Sequence, residues 1–272
     1  MVAGYVLALR EGLEAALIVG VVLSSLRKMR REDLSTVVWL GVGAAIALSL
    51  AAGLALAGLR AELEGRSEEI FEATTLILAA GVLTWMIFWM RKQGSKTQVD
   101  LREDVARVAS AGQRWGLFAV AFFAVLREGV ETGLFLTAAM FASRSSATVL
   151  GGVLGLATAA LLGVGLFAAT VRLDLRMFFS ATGILLLLFA AGLVSHAMHE
   201  LNDLGWVPAV IHPLWNAGGI LSDESAVGQA LSALLGYEAS PSLSQVLAYA
   251  VYFITVGLAV WPRRPRNTPQ RA

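Results

Sequence analysis

Seven stretches of this chain are each apolar over about 20 residues, the length a helix needs to cross a bilayer core roughly 30 Å thick. They lie at 2–26, 36–59, 70–90, 115–141, 147–170, 178–200 and 245–262. Inside lipid every backbone N–H and C=O must be satisfied within the protein, so apolar runs of this length fold as helices. The expected fold class is therefore an all-α polytopic membrane protein with seven transmembrane helices. Composition agrees: 57% of residues are hydrophobic and 15% charged, against about 25% charged in a soluble domain. Arg10, Glu11 and Glu14 interrupt the first apolar run, which reads as a retained first helix rather than a signal peptide.

Orientation follows from Lys and Arg in the connections. Loops 27–35, 91–114 and 171–177 and the tail 263–272 hold 16 of the 21 basic residues. The opposite side holds three, Arg60, Arg66 and Arg144. This asymmetry across alternating loops predicts an N-terminus outside and a C-terminus in the cytoplasm of a cell (inner) membrane protein. The outer connections are acidic, with Glu62, Glu64, Glu68, Glu69, Asp203, Asp223, Glu224 and Glu238. These read either as solvated loop charge or as a vestibule that concentrates cations. The net charge of +1 suggests no nucleic-acid partner, and the lack of cysteine excludes disulfides, cysteine–zinc sites and thiol catalysis.

An internal repeat organises the chain. Residues 9–15 read LREGLEA and residues 126–132 read LREGVET. The first lies on span 1 and the second on span 4, which the predicted topology makes antiparallel. Three spans follow each start, giving repeat A over 1–92 and repeat B over 115–200. The outer loop 201–244, the last helix 245–262 and the tail 263–272 complete a single transmembrane domain. A 3+3 inverted repeat is the signature of transporters whose substrate site lies near the midplane between the repeats. Within the outer loop, 226–236 reads as a short helix on the membrane surface.

The repeated motif carries the chemistry. A charge inside a membrane helix costs about 2.5–3.5 kcal/mol on insertion scales. Six of them must therefore face the bundle interior and meet partners. Glu11 and Glu14 are three apart and share a helix face, and Arg10 and Glu14 are four apart and can pair. The same spacing holds for Glu128, Glu131 and Arg127. Gly12 and Gly129 remove bulk beside the carboxylates. Two Arg and four Glu leave a charge deficit that a divalent cation would neutralise, and carboxylate oxygens suit hard ions.

Arg10-Glu11-Gly12-Leu13-Glu14 and Arg127-Glu128-Gly129-Val130-Glu131 resemble the paired REGxE motifs of the oxidase-dependent iron permeases. That family includes the fungal high-affinity iron permeases and bacterial EfeU-type permeases. The resemblance extends over EIFEATTLILAAGVLTWMIFWMRK (69–92), HELNDLGW (199–206) and LLGYEASPSLSQVLAY (234–249). It implies an iron ion permease in which Glu11, Glu14, Glu128 and Glu131 bind iron, ferrous or ferric, as substrate. It also implies external partners: a copper oxidase for fungal members, and periplasmic binding and peroxidase proteins for bacterial ones. No permanently bound cofactor is expected. The family's acidic outer loop before the last span is matched only by Asp223 and Glu224.

Secondary metal candidates are Glu72, at the outer start of span 3 with Glu68 and Glu69, and His199 with Glu200, at the outer end of span 6 near His196. Negative charge at 68–72 also suits a helix N-terminus. Trp39, Trp85, Trp89, Trp115, Trp206, Trp215 and Trp261 read as interfacial anchors, and Gly151 with Gly155 as a helix-packing pair. Competing readings are a permease for another divalent metal such as manganese or lead, and a membrane metal sensor that moves nothing. An enzyme is disfavoured, because no Ser/His/Asp set or HExxH is present.

Overall fold

The computed structural model describes residues 1–93, 103, 105–109, 113–143, 145–167 and 174–260. Most of loop 91–114, Arg144, the start of loop 171–177 and the tail 263–272 lie outside these residues. Among the described residues no strand occurs; besides one 3₁₀ turn and the helical residues 103 and 105–109, the helices are α1 Val2–Lys28, α2 Ser35–Glu62, α3 Arg66–Gln93, α4 Arg114–Ser143, α5 Ala147–Phe167, α6 Leu175–Asp203, α7 Ala226–Leu235 and α8 Leu243–Val260. The helices follow the apolar stretches and overrun several of them by a turn, because helix continues past the edge of the apolar run.

Among the described residues, five segments are long and apolar enough to cross a membrane: Glu32–Glu62, Arg66–Met90, Ala147–Phe167, Met177–Asp203 and Leu243–Val260. Helices α1 and α4 are as long, at 27 and 30 residues, and differ in carrying the three charges of a motif each. The outward faces are apolar. Leu54, Leu161, Val164 and Leu258 are all at least 70% exposed, a surface suited to lipid rather than water.

Helix α1 packs most extensively against α5, α2 against α4, and α3 against α6, while α1 and α4 also meet directly. Small residues set the closest approaches. A side chain at Gly151 would run into the Met1 carbonyl, and one at Gly155 into the Tyr5 carbonyl of α1.

The interior divides into two apolar clusters. One gathers Leu7 of α1, Leu76, Leu83 and Met86 of α3, Phe135 of α4 and Phe189 of α6. The other gathers Val22 and Leu26 of α1, Val38 and Val42 of α2, and Leu117 and Val125 of α4. Along α1 the first cluster precedes residues 10–14 and the second follows them. Along α4 the order is reversed about residues 127–131. The two helices therefore run antiparallel, and both motifs lie between the apolar halves of the protein.

Helix α7 differs from expectation. Its apolar side is docked on the ends of α4 and α6 instead of lying free on a surface. Ser232 Oγ donates to the Ala142 carbonyl at 2.9 Å, and Gly192 meets Gly236 backbone to backbone. Ser225 caps its start by accepting from Gly228 N, and Gly236 ends it with φ +70°, the left-handed cap that glycine adopts without strain. The connection around it is clasped by Leu214 N to Pro241 O and Ala217 N to Ala239 O.

Candidate metal centre

The two motifs face each other. Glu11 of α1 and Glu128 and Glu131 of α4 are buried, and each offers a carboxylate oxygen within 4.8 Å of the other two. Glu14 does not join this group. Its Oε1 lies 2.7 Å from Arg10 Nη2, so the arginine four residues away holds it.

Each arginine serves its own motif. Arg10 Nη1 donates to Glu11 Oε1 at 2.6 Å, and Arg127 Nε donates to Glu131 Oε1 at 2.8 Å. Arg127 Nε also lies 4.0 Å from Glu128 Oε1. The second oxygens of Glu11, Glu128 and Glu131 are buried without a hydrogen-bond partner. A buried carboxylate oxygen left without a donor costs about 1–3 kcal/mol or more. Three of them together form a cluster of unpartnered oxygens that a cation would satisfy.

The motif glycines allow the approach. A Cβ on Gly12 would stand 2.7 Å from Ala159 Cβ on α5. A Cβ on Gly129 would stand 2.8 Å from Ser49 Cβ on α2 and closer still to its hydroxyl. Any larger residue would push α5 or α2 away from the helix that carries the carboxylates.

Helix α3 supplies a wall that sequence reasoning missed. Arg10 also donates to Met86 Sδ at 3.6 Å and Met90 Sδ at 2.8 Å. The Arg127 guanidinium carbon lies 4.6 Å from the Trp89 ring centre and 5.4 Å from that of Trp85. Trp85 and Trp89 stack on each other at 6.2 Å. Beyond any anchoring at the interface, these tryptophans give Arg127 a cation–π seat. The available signal was a Met pair and a Trp pair, each at i,i+4 on one span.

Of the secondary candidates, Glu72 and Glu200 line a separate cavity of about 420 Å³, with Glu68, Glu69, Arg60 and Asp203 among others. Glu72 pairs there with Arg60 at 3.1 Å. His199 stands 3.6 Å from Asp203 and 3.9 Å from Glu238. His196 faces the Ser232 carbonyl at 3.2 Å. Asp223 accepts from Ala239 N at 2.9 Å and so fastens the loop. Glu72, His199 and Glu200 are not part of the three-carboxylate group.

The profile of the Iron permease FTR1 family matches residues 1–262. This chain belongs to that family. The ferrous iron permease EfeU of Escherichia coli O6:K15:H31 (strain 536 / UPEC) is 36% identical over 271 residues, covering 98% of each chain. The ferrous iron permease EfeU of Yersinia pestis is 35% identical over 266 residues, covering 97% of this chain and 94% of its own. No solved structure matches. Family membership and the apolar helices together make the chain a multi-pass membrane protein concerned with iron transport. Its relatives are permeases and not enzymes.

Proposed function

We propose that the protein moves iron ions across the cytoplasmic membrane along the carboxylates of its two REGxE motifs. The observation that carries this reading is the convergence of Glu11, Glu128 and Glu131 from helices over a hundred residues apart in sequence, each buried with one oxygen unpartnered. Glu14, paired with Arg10, is the fourth ion-binding carboxylate, adjacent along α1. Arg10 and Arg127 pair with the carboxylates and orient them while no ion is present.

The scaffold is seven spans in a 3+3 inverted repeat. Exchanging the repeats maps α1 onto α4, α2 onto α5 and α3 onto α6. The principal packing partners obey this exchange: α1 with α5 corresponds to α4 with α2, and α3 with α6 to itself. The motif glycines obey it too, Gly12 meeting α5 and Gly129 meeting α2. The N-terminus is outside and the C-terminus cytoplasmic, so the cavity at Glu68, Glu69, Glu72 and Glu200 opens outward and gathers cations.

Purified protein in proteoliposomes tests the reading. Uptake of ferrous iron above that of empty vesicles, lost when Glu128 is replaced by Gln, supports it. Iron accumulation equal to that of empty vesicles contradicts it.

A further inference from the structure

Arg10 is 1% exposed, and its guanidinium sits among two carboxylate oxygens and two thioether sulfurs. Nη1 is 2.6 Å from Glu11 Oε1 and 3.6 Å from Met86 Sδ. Nη2 is 2.7 Å from Glu14 Oε1 and 2.8 Å from Met90 Sδ. Each layer pairs one carboxylate of α1 with one thioether of α3, and the two layers are about a helical turn apart along both helices. A thioether is a weak hydrogen-bond acceptor. Leucine would fill either position at nearly the same volume, so the sulfurs add little to the arginine's stability. A thioether is, however, a soft metal donor.

We propose that Glu11, Glu14, Met86 and Met90 form a second ion position, which Arg10 occupies as a tethered cation until an iron ion displaces it, and that the two thioethers select ferrous iron over harder ions. The inference rests on the permease reading above and adds the selectivity determinants to it. The two carboxylates carry −2, which a guanidinium half neutralises and a divalent ion neutralises fully. Glu11 belongs to both positions, so an ion held by Glu11, Glu128 and Glu131 keeps Glu11 as a ligand while Glu14 replaces Glu128 and Glu131. The thioethers bind the ferrous ion better than the manganous ion, whose preference is for oxygen, and better than the ferric ion, whose higher charge makes it harder.

The chain contains no cysteine, so any sulfur bonded to iron must come from methionine. X-ray absorption at the iron edge of wild-type protein loaded with ferrous iron is therefore expected to show a sulfur neighbour. The Met86→Leu/Met90→Leu variant is expected to lose it. In proteoliposomes offered ferrous and manganous ions together, the same variant is expected to lose on the order of tenfold of the wild-type preference for iron. Only oxygen and nitrogen neighbours around iron in the wild type, with uptake intact, overturn the proposal and leave the permease reading standing. An unchanged iron preference in the variant does the same. A wild type that takes up no iron overturns the permease reading itself. Should the double variant not insert, the wild-type absorption spectrum and the single variant Met90→Leu decide the matter.

Discussion

Glu11 and Glu128 approach each other across the α1–α4 contact, with carboxylate oxygens within 4.8 Å and both side chains buried. Two like charges at that distance repel by about 3–4 kcal/mol at an effective dielectric constant of about 20. Arg10 and Arg127 relieve part of this, each through its own motif's carboxylates. A divalent cation between the motifs would relieve the rest. Because the carboxylates bind metal only when ionised, iron uptake is expected to fall as the medium is acidified. Uptake measured across a pH series at a fixed iron concentration checks this, and uptake that rises steadily into acid would argue for protonated carboxylates in the working state.

Replacing Arg127 by Lys keeps the charge. It removes the planar group that donates to Glu131 while lying over Trp89, and an ammonium cannot do both in that geometry. Uptake is expected to drop by about tenfold or more at equal membrane abundance. Trp89→Leu is expected to act in the same direction more mildly, since a cation–π contact contributes about 0.5–2 kcal/mol. Wild-type uptake by the Lys variant would show that the fork and its seat are irrelevant.

Gly12 and Gly129 tie the site to the packing. Replacing either by Val places methyl groups against Ala159 or Ser49. Such overpacking typically destabilises by about 1–3 kcal/mol. A lower thermal midpoint in detergent is expected for both variants, together with reduced uptake. An equal effect of Gly43→Val, at a glycine with nothing within 4 Å, would remove the argument for close approach.

The absence of cysteine lets single cysteines report topology. Glu62→Cys and Asp223→Cys are expected to react with membrane-impermeant thiol reagents added from outside. Asp33→Cys, in an exposed turn between α1 and α2, is expected to react only after permeabilisation. The reverse pattern would invert the orientation.

The helices were legible because apolar length in lipid leaves the backbone few alternatives, and the pairing within each motif because i,i+4 spacing fixes it locally. The group Glu11, Glu128 and Glu131 was legible only as a set of four. Which three converge depends on how α1 and α4 rotate about their axes, and Arg10 draws Glu14 aside. Met86, Met90, Trp85 and Trp89 were not read as part of the site. Uncharged side chains on an apolar span carry no sign of what they touch, and only the contact of α3 with both arginines reveals it. The docking of α7 was hidden for a related reason: an apolar face on a short helix suits lipid and protein equally well.

The central claim is that carboxylates from both motifs serve one ion. Iron uptake by Glu11→Gln, Glu131→Gln and the double variant in proteoliposomes tests it most directly, because Gln keeps the size of Glu and removes its charge. Each single change is expected to cut uptake by roughly 10-fold or more, a loss like those seen when the surroundings of a metal site are disturbed. The double variant is expected to be little worse than the worse single one, since a site already broken by one change has little left to lose. Normal uptake by both single variants, or losses that simply multiply in the double variant, would contradict a shared ion site.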